Sequence, residues 1–145
     1  MFDAILAIIH HVFVFSLAGC LVGQWLLLMG TPSFSVLKLL GRVDAVYGIA
    51  ATGSLAVGVA RIFWGVKPAS FYTNNPVFWT KMAVWGVVAI LSIFPTIRFI
   101  QWGRRKEIPG VAEFVAVRKY VFFEILVFTL IPVFAALMAR GYGYR

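Results

Sequence analysis

The chain has little that reacts. Of its 145 residues one is cysteine, two are histidine and five are acidic. A single cysteine excludes an intrachain disulfide framework and any cysteine-rich metal site. The two histidines, His10 and His11, are adjacent. On a regular helix they point roughly 100° apart, so one metal cannot take both, and a tetrahedral zinc site lacks donors. There is no Gly-x-Ser-x-Gly elbow, phosphate loop or His-Glu-x-x-His helix, which removes the common hydrolase and nucleotidase classes. Charge is scarce at 12% of residues, about half of what a soluble domain carries. The 13 Lys and Arg exceed the acids by eight. So little polar surface remains, however, that a nucleic-acid face cannot be built, and no nucleic-acid partner is expected. The basic excess reads instead as loops beside an anionic membrane face.

What the chain does have is apolar length. Hydrophobic residues make up 62% of it and aromatics 17%. Four apolar runs are long enough to cross a bilayer, at residues 4–29, 44–64, 77–102 and 120–139. The connections are short and rich in Gly, Pro and Asn, so neighbouring spans run antiparallel. The expected fold is an all-α integral membrane four-helix bundle of up-down topology, one domain over 1–145. Pro95 and Pro132 each free a carbonyl one turn back and are expected to kink spans three and four. The first run is not read as a cleaved signal peptide: Asp3 precedes it, no Lys or Arg does, and it continues past Cys20. Cys20 is read as a small buried residue. Lys38, Arg42, Arg104, Arg105, Lys106, Arg118 and Lys119 flank loops one and three, against Lys67, Arg140 and Arg145 on the other side. Seven against three puts both termini on the periplasmic face of a bacterial inner membrane.

Ionisable groups within spans are costly, and each is therefore a candidate for function. They fall into two layers. Near the terminus-bearing face lie His10, His11, Arg61 and Lys81, with Trp64, Tyr72 and Trp79. Toward the other face lie Arg42, Asp44, Tyr47, Arg98 and Glu124. In that second layer two acids can neutralise two bases, so an ion-pair network of Asp44 and Glu124 with Arg42 and Arg98 is expected; the alternative is a proton path through the two carboxylates. The first layer is net cationic, with Asp3 the nearest acid. Snorkelling to the headgroups would relieve Arg61 and Lys81, and so would an anionic ligand. Ala4, Ala7 and Ala18 share a face with His11, whereas His10 shares one with Val14, Leu17, Leu21 and Leu28. Because small residues line helix contacts in membranes, His11 is expected inward and His10 at the rim. In span two, Gly48, Thr52, Ala56 and Ala60 form one row of small residues, and Ala50, Ser54 and Gly58 a second. Such rows serve close packing, an oligomer interface, or room for a flat ring.

One inward imidazole beside unpaired cations suits haem b: His11 for iron, Lys81 and Arg61 for propionates, or Lys81 for the sixth position. It suits a quinone headgroup nearly as well. His10, Tyr72 and Trp79 complete the candidate cofactor-binding set. The runs Arg42-x-Asp44-x-x-Tyr47-Gly48, Gly58-x-x-Arg61-x-Phe63-Trp64-Gly65, Phe71-Tyr72-x-x-Asn75-Pro76-x-Phe78-Trp79-x-Lys81 and Ser92-x-x-Pro95-Thr96 resemble a bacterial predicted inner-membrane family, domain of unknown function twenty-two fourteen. That resemblance covers nearly the whole chain and implies four spans. More distantly the layout is similar to the HemJ-type haem-containing protoporphyrinogen oxidases. The shared features are a histidine ahead of Ala18-Gly19, a lysine after a tryptophan at the start of a later span (Trp79-x-Lys81), and an Arg followed by a Glu in the last span (Arg118, Glu124). This second resemblance implies haem binding and redox or porphyrin chemistry. The alternatives are a quinone-linked oxidoreductase, or a non-catalytic membrane subunit or small-solute channel. The expected partners are the lipid bilayer, a further copy of the chain and a redox partner.

Overall fold

A computed structural model describes residues 2–105 and 107–143. Lys106 and Arg145, two of the charges counted for orientation, lie outside the described residues. The described chain is helical, with no strand: α1 (Phe2–Met29), α2 (Phe34–Trp64), α3 (Ala69–Thr73), α4 (Pro76–Arg104), α5 (Val111–Phe128) and α6 (Leu130–Ala139). Local chemistry sets the ends. Ser33 caps α2 by accepting the Val36 amide at 3.3 Å. Asn75 caps α4 by accepting the Val77 amide at 2.9 Å, with Pro76 in the first helical position, where its missing N–H costs nothing.

α5 and α6 together form the fourth span, which is interrupted at Thr129. Pro132 accounts for the break, since it leaves the Phe128 carbonyl without its intrahelical donor. α4, in contrast, runs unbroken through Pro95. The four span helices are 28 to 31 residues long, or about 42–46 Å. They therefore project beyond a hydrocarbon core of about 30 Å. Helix α2 begins ten residues before Asp44, and α5 nine before Tyr120. Lys38, Arg42, Arg118 and Lys119 accordingly sit on projecting helix ends rather than in loops.

The helices form a ring in the order α1, α2, α4, α5, so that α1 faces α4 and α2 faces α5 across the centre. The packed seam of each repeats with alternating steps of three and four. It runs 17, 21, 24, 28 in α1; 37, 40, 47, 50, 54 in α2; 78, 88, 95, 99, 102 in α4; and 114, 117, 121, 124, 128 in α5, the wider gaps being sums of such steps. This is the heptad spacing of left-handed bundles. Leu28, Leu40, Phe99, Trp102, Phe114 and Val117 fill one end of the core, and Leu17, Leu21, Tyr47, Ala50, Val88 and Phe128 the other. Cys20 is only partly buried, packed against that second group. Phe15, Ile49 and Ile90 are 72%, 69% and 68% exposed. Such an apolar exterior belongs in lipid rather than water.

The two small-residue rows of α2 part company. Ala50 and Ser54 are buried and Gly58 half-buried, on the side packed against α1. At Gly53 the approach is so close that a Cβ would stand 2.6 Å from the Phe13 ring. Gly48, Thr52 and Ala56 face outward.

Candidate functional site

The terminus-bearing end gathers the first and last described segments of the chain. Asp3 meets Arg61 there, with Oδ1 at 3.9 Å from Nε, and the fully buried Asn75 donates from Nδ2 to the Tyr142 carbonyl at 3.2 Å. Two turns inside this end lies His10, on the α1 seam. Its Nδ1 is 3.0 Å from the Ser54 carbonyl on α2. A carbonyl only accepts, so Nδ1 carries the hydrogen and Nε2 keeps a free lone pair. Gly58 gives the ring its place: a Cβ there would stand 3.4 Å from His10 Cε1.

His11 turns outward. It is exposed, and its Nδ1 bonds the carbonyl of its own helix at Ala7, at 2.6 Å. The expected orientation of the two histidines is thus reversed, and the reason is physical. The leucine stripe of α1 is the packed face, with Leu17, Leu21 and Leu28 all at most 4% exposed, while Ala4 and Gly19 are exposed. Lipid is as apolar as leucine, so leucine identity does not mark the lipid face; the spacing of the stripe marks the seam.

Arg61 and Lys81, also on seam positions, lie within electrostatic reach of His10. Arg61 is poorly neutralised: the contact to Asp3 is long, and its buried Nε has no hydrogen-bond partner. Lys81 faces the Phe78 ring at 5.4 Å and, among the described residues, meets no carboxylate within ion-pair distance. Tyr72 packs edge-on against that same Phe78 ring at 5.9 Å. Trp79 is exposed and turned to the connecting segment, donating from Nε1 to the Thr73 carbonyl at 2.9 Å. The structure therefore brings His10, Arg61 and Lys81 within electrostatic reach of one another, sets Tyr72 against the Phe78 ring that Lys81 faces, and leaves His11 and Trp79 outside. α6 packs on α4 and α5, and its backbone stays more than 8 Å from that of α1.

The second layer lies deeper, toward the opposite end. Glu124 is 1% exposed, and the Tyr47 hydroxyl donates to its Oε1 across the bundle centre at 2.5 Å. Asp44 Oδ1 accepts from Gln24 Nε2 at 3.2 Å and from the Thr96 hydroxyl at 3.0 Å. The expected ion-pair network does not form. Arg98 pairs instead with Glu113 at 3.0 Å, which also accepts from Trp102 Nε1 at 3.1 Å, and Arg42 is exposed. The seam explains this outcome. Asp44 and Glu124 occupy positions that point at the bundle axis, whereas Arg42 and Arg98 fall between seam positions and stay at the rim. Gln24 and Thr96 were missed as partners, although Gln24 is the one strongly polar residue in the Leu17-Leu21-Gln24-Leu28 stripe.

Between the layers is a cavity of about 60 Å³, lined by Tyr47 and Ser92 and walled by Leu17, Trp85, Val88 and Phe128. A shallow groove at Leu91, Lys119, Tyr120 and Phe123 opens on the outside of α4 and α5.

The whole described chain, residues 2–143, matches a family model described as predicted membrane protein (DUF2214). The chain belongs to that family. No curated protein and no solved structure matches it. DUF2214 membership fits the four apolar helices of the bundle, and its description names a membrane protein without an activity.

Proposed function

We propose that this DUF2214 protein is a multi-pass protein of the bacterial inner membrane, with both termini periplasmic, that binds haem b through His10 and acts in redox chemistry or porphyrin handling. One observation carries the proposal: an inward imidazole whose Nδ1–H is held by the Ser54 carbonyl, leaving Nε2 to ligate. That second contact is what orients metal-ligating histidines generally. The donor set fits. No cluster of three His, Cys, Asp or Glu groups converges among the described residues, and haem needs none because the porphyrin supplies four nitrogens. Arg61, with a buried Nε that lacks a partner, and Lys81 are the cations that would receive propionates, and Lys81 is the residue that would offer a second ligand. Neither hollow described above reaches His10. Haem supplies one-electron chemistry when bound; the chain's own part is to ligate, orient and neutralise. The HemJ-type likeness adds the same expectation.

The test is an absorption spectrum of the detergent-purified protein supplied with haem. A Soret band is expected, lost in His10→Ala and kept in His11→Ala. No band in the wild type overturns the proposal. The same geometry favours one second reading. A hydroquinone hydroxyl could donate to His10 Nε2 while Lys81 or Arg61 donates to the opposite oxygen, and quinone in an organic extract of the colourless protein would select it.

A further inference from the structure

The proposed haem site does not use the deeper layer, and that layer poses its own problem. Glu124 lies 15 residues from the end of α6, about 22 Å along the span, and Asp44 acts on it electrostatically. Two carboxylates inside a bilayer need counter-charges. The groups facing them from each helix supply none. α1 presents Gln24 and Cys20, α2 presents Tyr47, and α4 presents Thr96 and Ser92. The nearest base on α4, Arg98, is committed to Glu113. Hydrogen bonds reach both acids, but among the described residues no cation stands within ion-pair distance of either. Two carboxylates that act on one another in a low dielectric share a proton rather than both ionise.

We propose that Asp44 and Glu124 form an intramembrane proton-exchange site that holds one proton between them, with Tyr47 as its gate toward the terminus-bearing side. The route is visible in the structure. The Tyr47 hydroxyl donates to Glu124 and also lines the cavity, beside Ser92. The cavity's volume has room for about two waters. It extends outward to Trp85, one helical turn from Lys81, and to Ala51, whose carbonyl accepts the Ser54 hydroxyl at 2.9 Å. In each transfer the phenol hydrogen passes to the Glu124 carboxylate as the phenol oxygen takes a proton from the cavity side. The phenol ends neutral, one proton has moved inward, and no electron is transferred. The inference does not depend on haem at His10, although it would place a proton source beneath a redox centre there.

The experiment is infrared spectroscopy of the full chain in lipid near neutral pH, in H2O and after transfer to D2O. With only five acidic residues, the carbonyl stretch of a protonated carboxyl can be assigned. The expected result is one such band, sensitive to deuterium, lost in Glu124→Gln or Asp44→Asn, and exchanging slower by about tenfold or more in Tyr47→Phe. Should the variants fail to fold, the wild-type protein decides alone: a carbodiimide adduct located by mass spectrometry on Glu124 or Asp44 supports the site. Absence of both the band and the adduct overturns it. A band that exchanges as fast in folded Tyr47→Phe overturns the assignment of Tyr47 as gate.

Discussion

Tyr47→Phe isolates the contact on which the deeper layer turns. The substitution keeps the ring in the packed core and removes only the hydroxyl that Glu124 accepts at 2.5 Å. Polar contacts between membrane helices are worth about 0.6 kcal/mol on average and about 1.7 at most. Hydrogen bonds to charged groups in soluble proteins run to about 1.5–3 kcal/mol. This bond joins two side chains no more than 6% exposed, and its acceptor is a carboxyl, so it belongs at the upper end of the membrane range. A loss of about 1.5 kcal/mol is expected. Most of that loss is the orphaned acceptor rather than the bond itself. In a Glu124→Leu background, where no acceptor waits, Tyr47→Phe should cost about 0.5 kcal/mol or less. The double-mutant cycle then gives a coupling near 1 kcal/mol, read from reversible unfolding in mixed micelles titrated with denaturing detergent. Equal costs of Tyr47→Phe in the two backgrounds would refute the reasoning, because the hydroxyl would then be satisfied elsewhere.

Arg98→Ala should cost no more than about 1 kcal/mol in the same assay, since its pair with Glu113 is about one-third exposed; a loss of 3 kcal/mol or more would restore the buried network with Asp44 or Glu124 that the geometry denies. Asn75→Ala removes the α4 cap and the hold on the Tyr142 carbonyl. It should cost about 1 kcal/mol and speed proteolysis beyond Ala139, and unchanged cleavage would count against the tail being anchored there. Gly58→Val places branched carbons where a Cβ alone already stands 3.4 Å from the His10 ring. If His10 ligates haem, the Soret band should weaken or shift while His11→Val leaves it intact.

Membership of a membrane bundle was legible because apolar length is a bulk property: four runs of sufficient hydropathy are visible without knowing which side of any helix faces which. Orientation was harder. Small residues do not mark the interior of α1: Ala18 packs at the edge of the core, but Ala4, Gly19 and His11 are exposed. Polarity alone also paired the wrong charges. Asp44 and Arg42 are two residues apart in the chain, yet point to different surroundings, and depth along the helix carries no information about that angle.

Periodicity is the information that resolves both errors. Residues 10, 14, 17, 21, 24 and 28 step by four and three without interruption, as do 37, 40, 44, 47, 51, 54, 58 and 61 on α2 and 78, 81, 85, 88, 92, 95, 99 and 102 on α4. These rows contain the buried leucines and also His10, Gln24, Asp44, Tyr47, Ser54, Arg61, Lys81 and Ser92. The seam of α5 adds Glu124. In a soluble bundle such positions would be filled by apolar residues, and a polar one would be tolerated only for register or function. In lipid the exterior is already apolar, so the seam is the one place where polar groups can meet one another. The seams therefore sort the candidates on physical grounds: His10, Arg61 and Lys81 converge at one depth and Asp44, Tyr47 and Glu124 at another, while His11, Arg42 and Arg98 are excluded by angle. The cavity between Tyr47 and Trp85 lies between the two layers, and Tyr47, which lines it and bonds Glu124, is the residue whose loss should cut the deeper layer off from it.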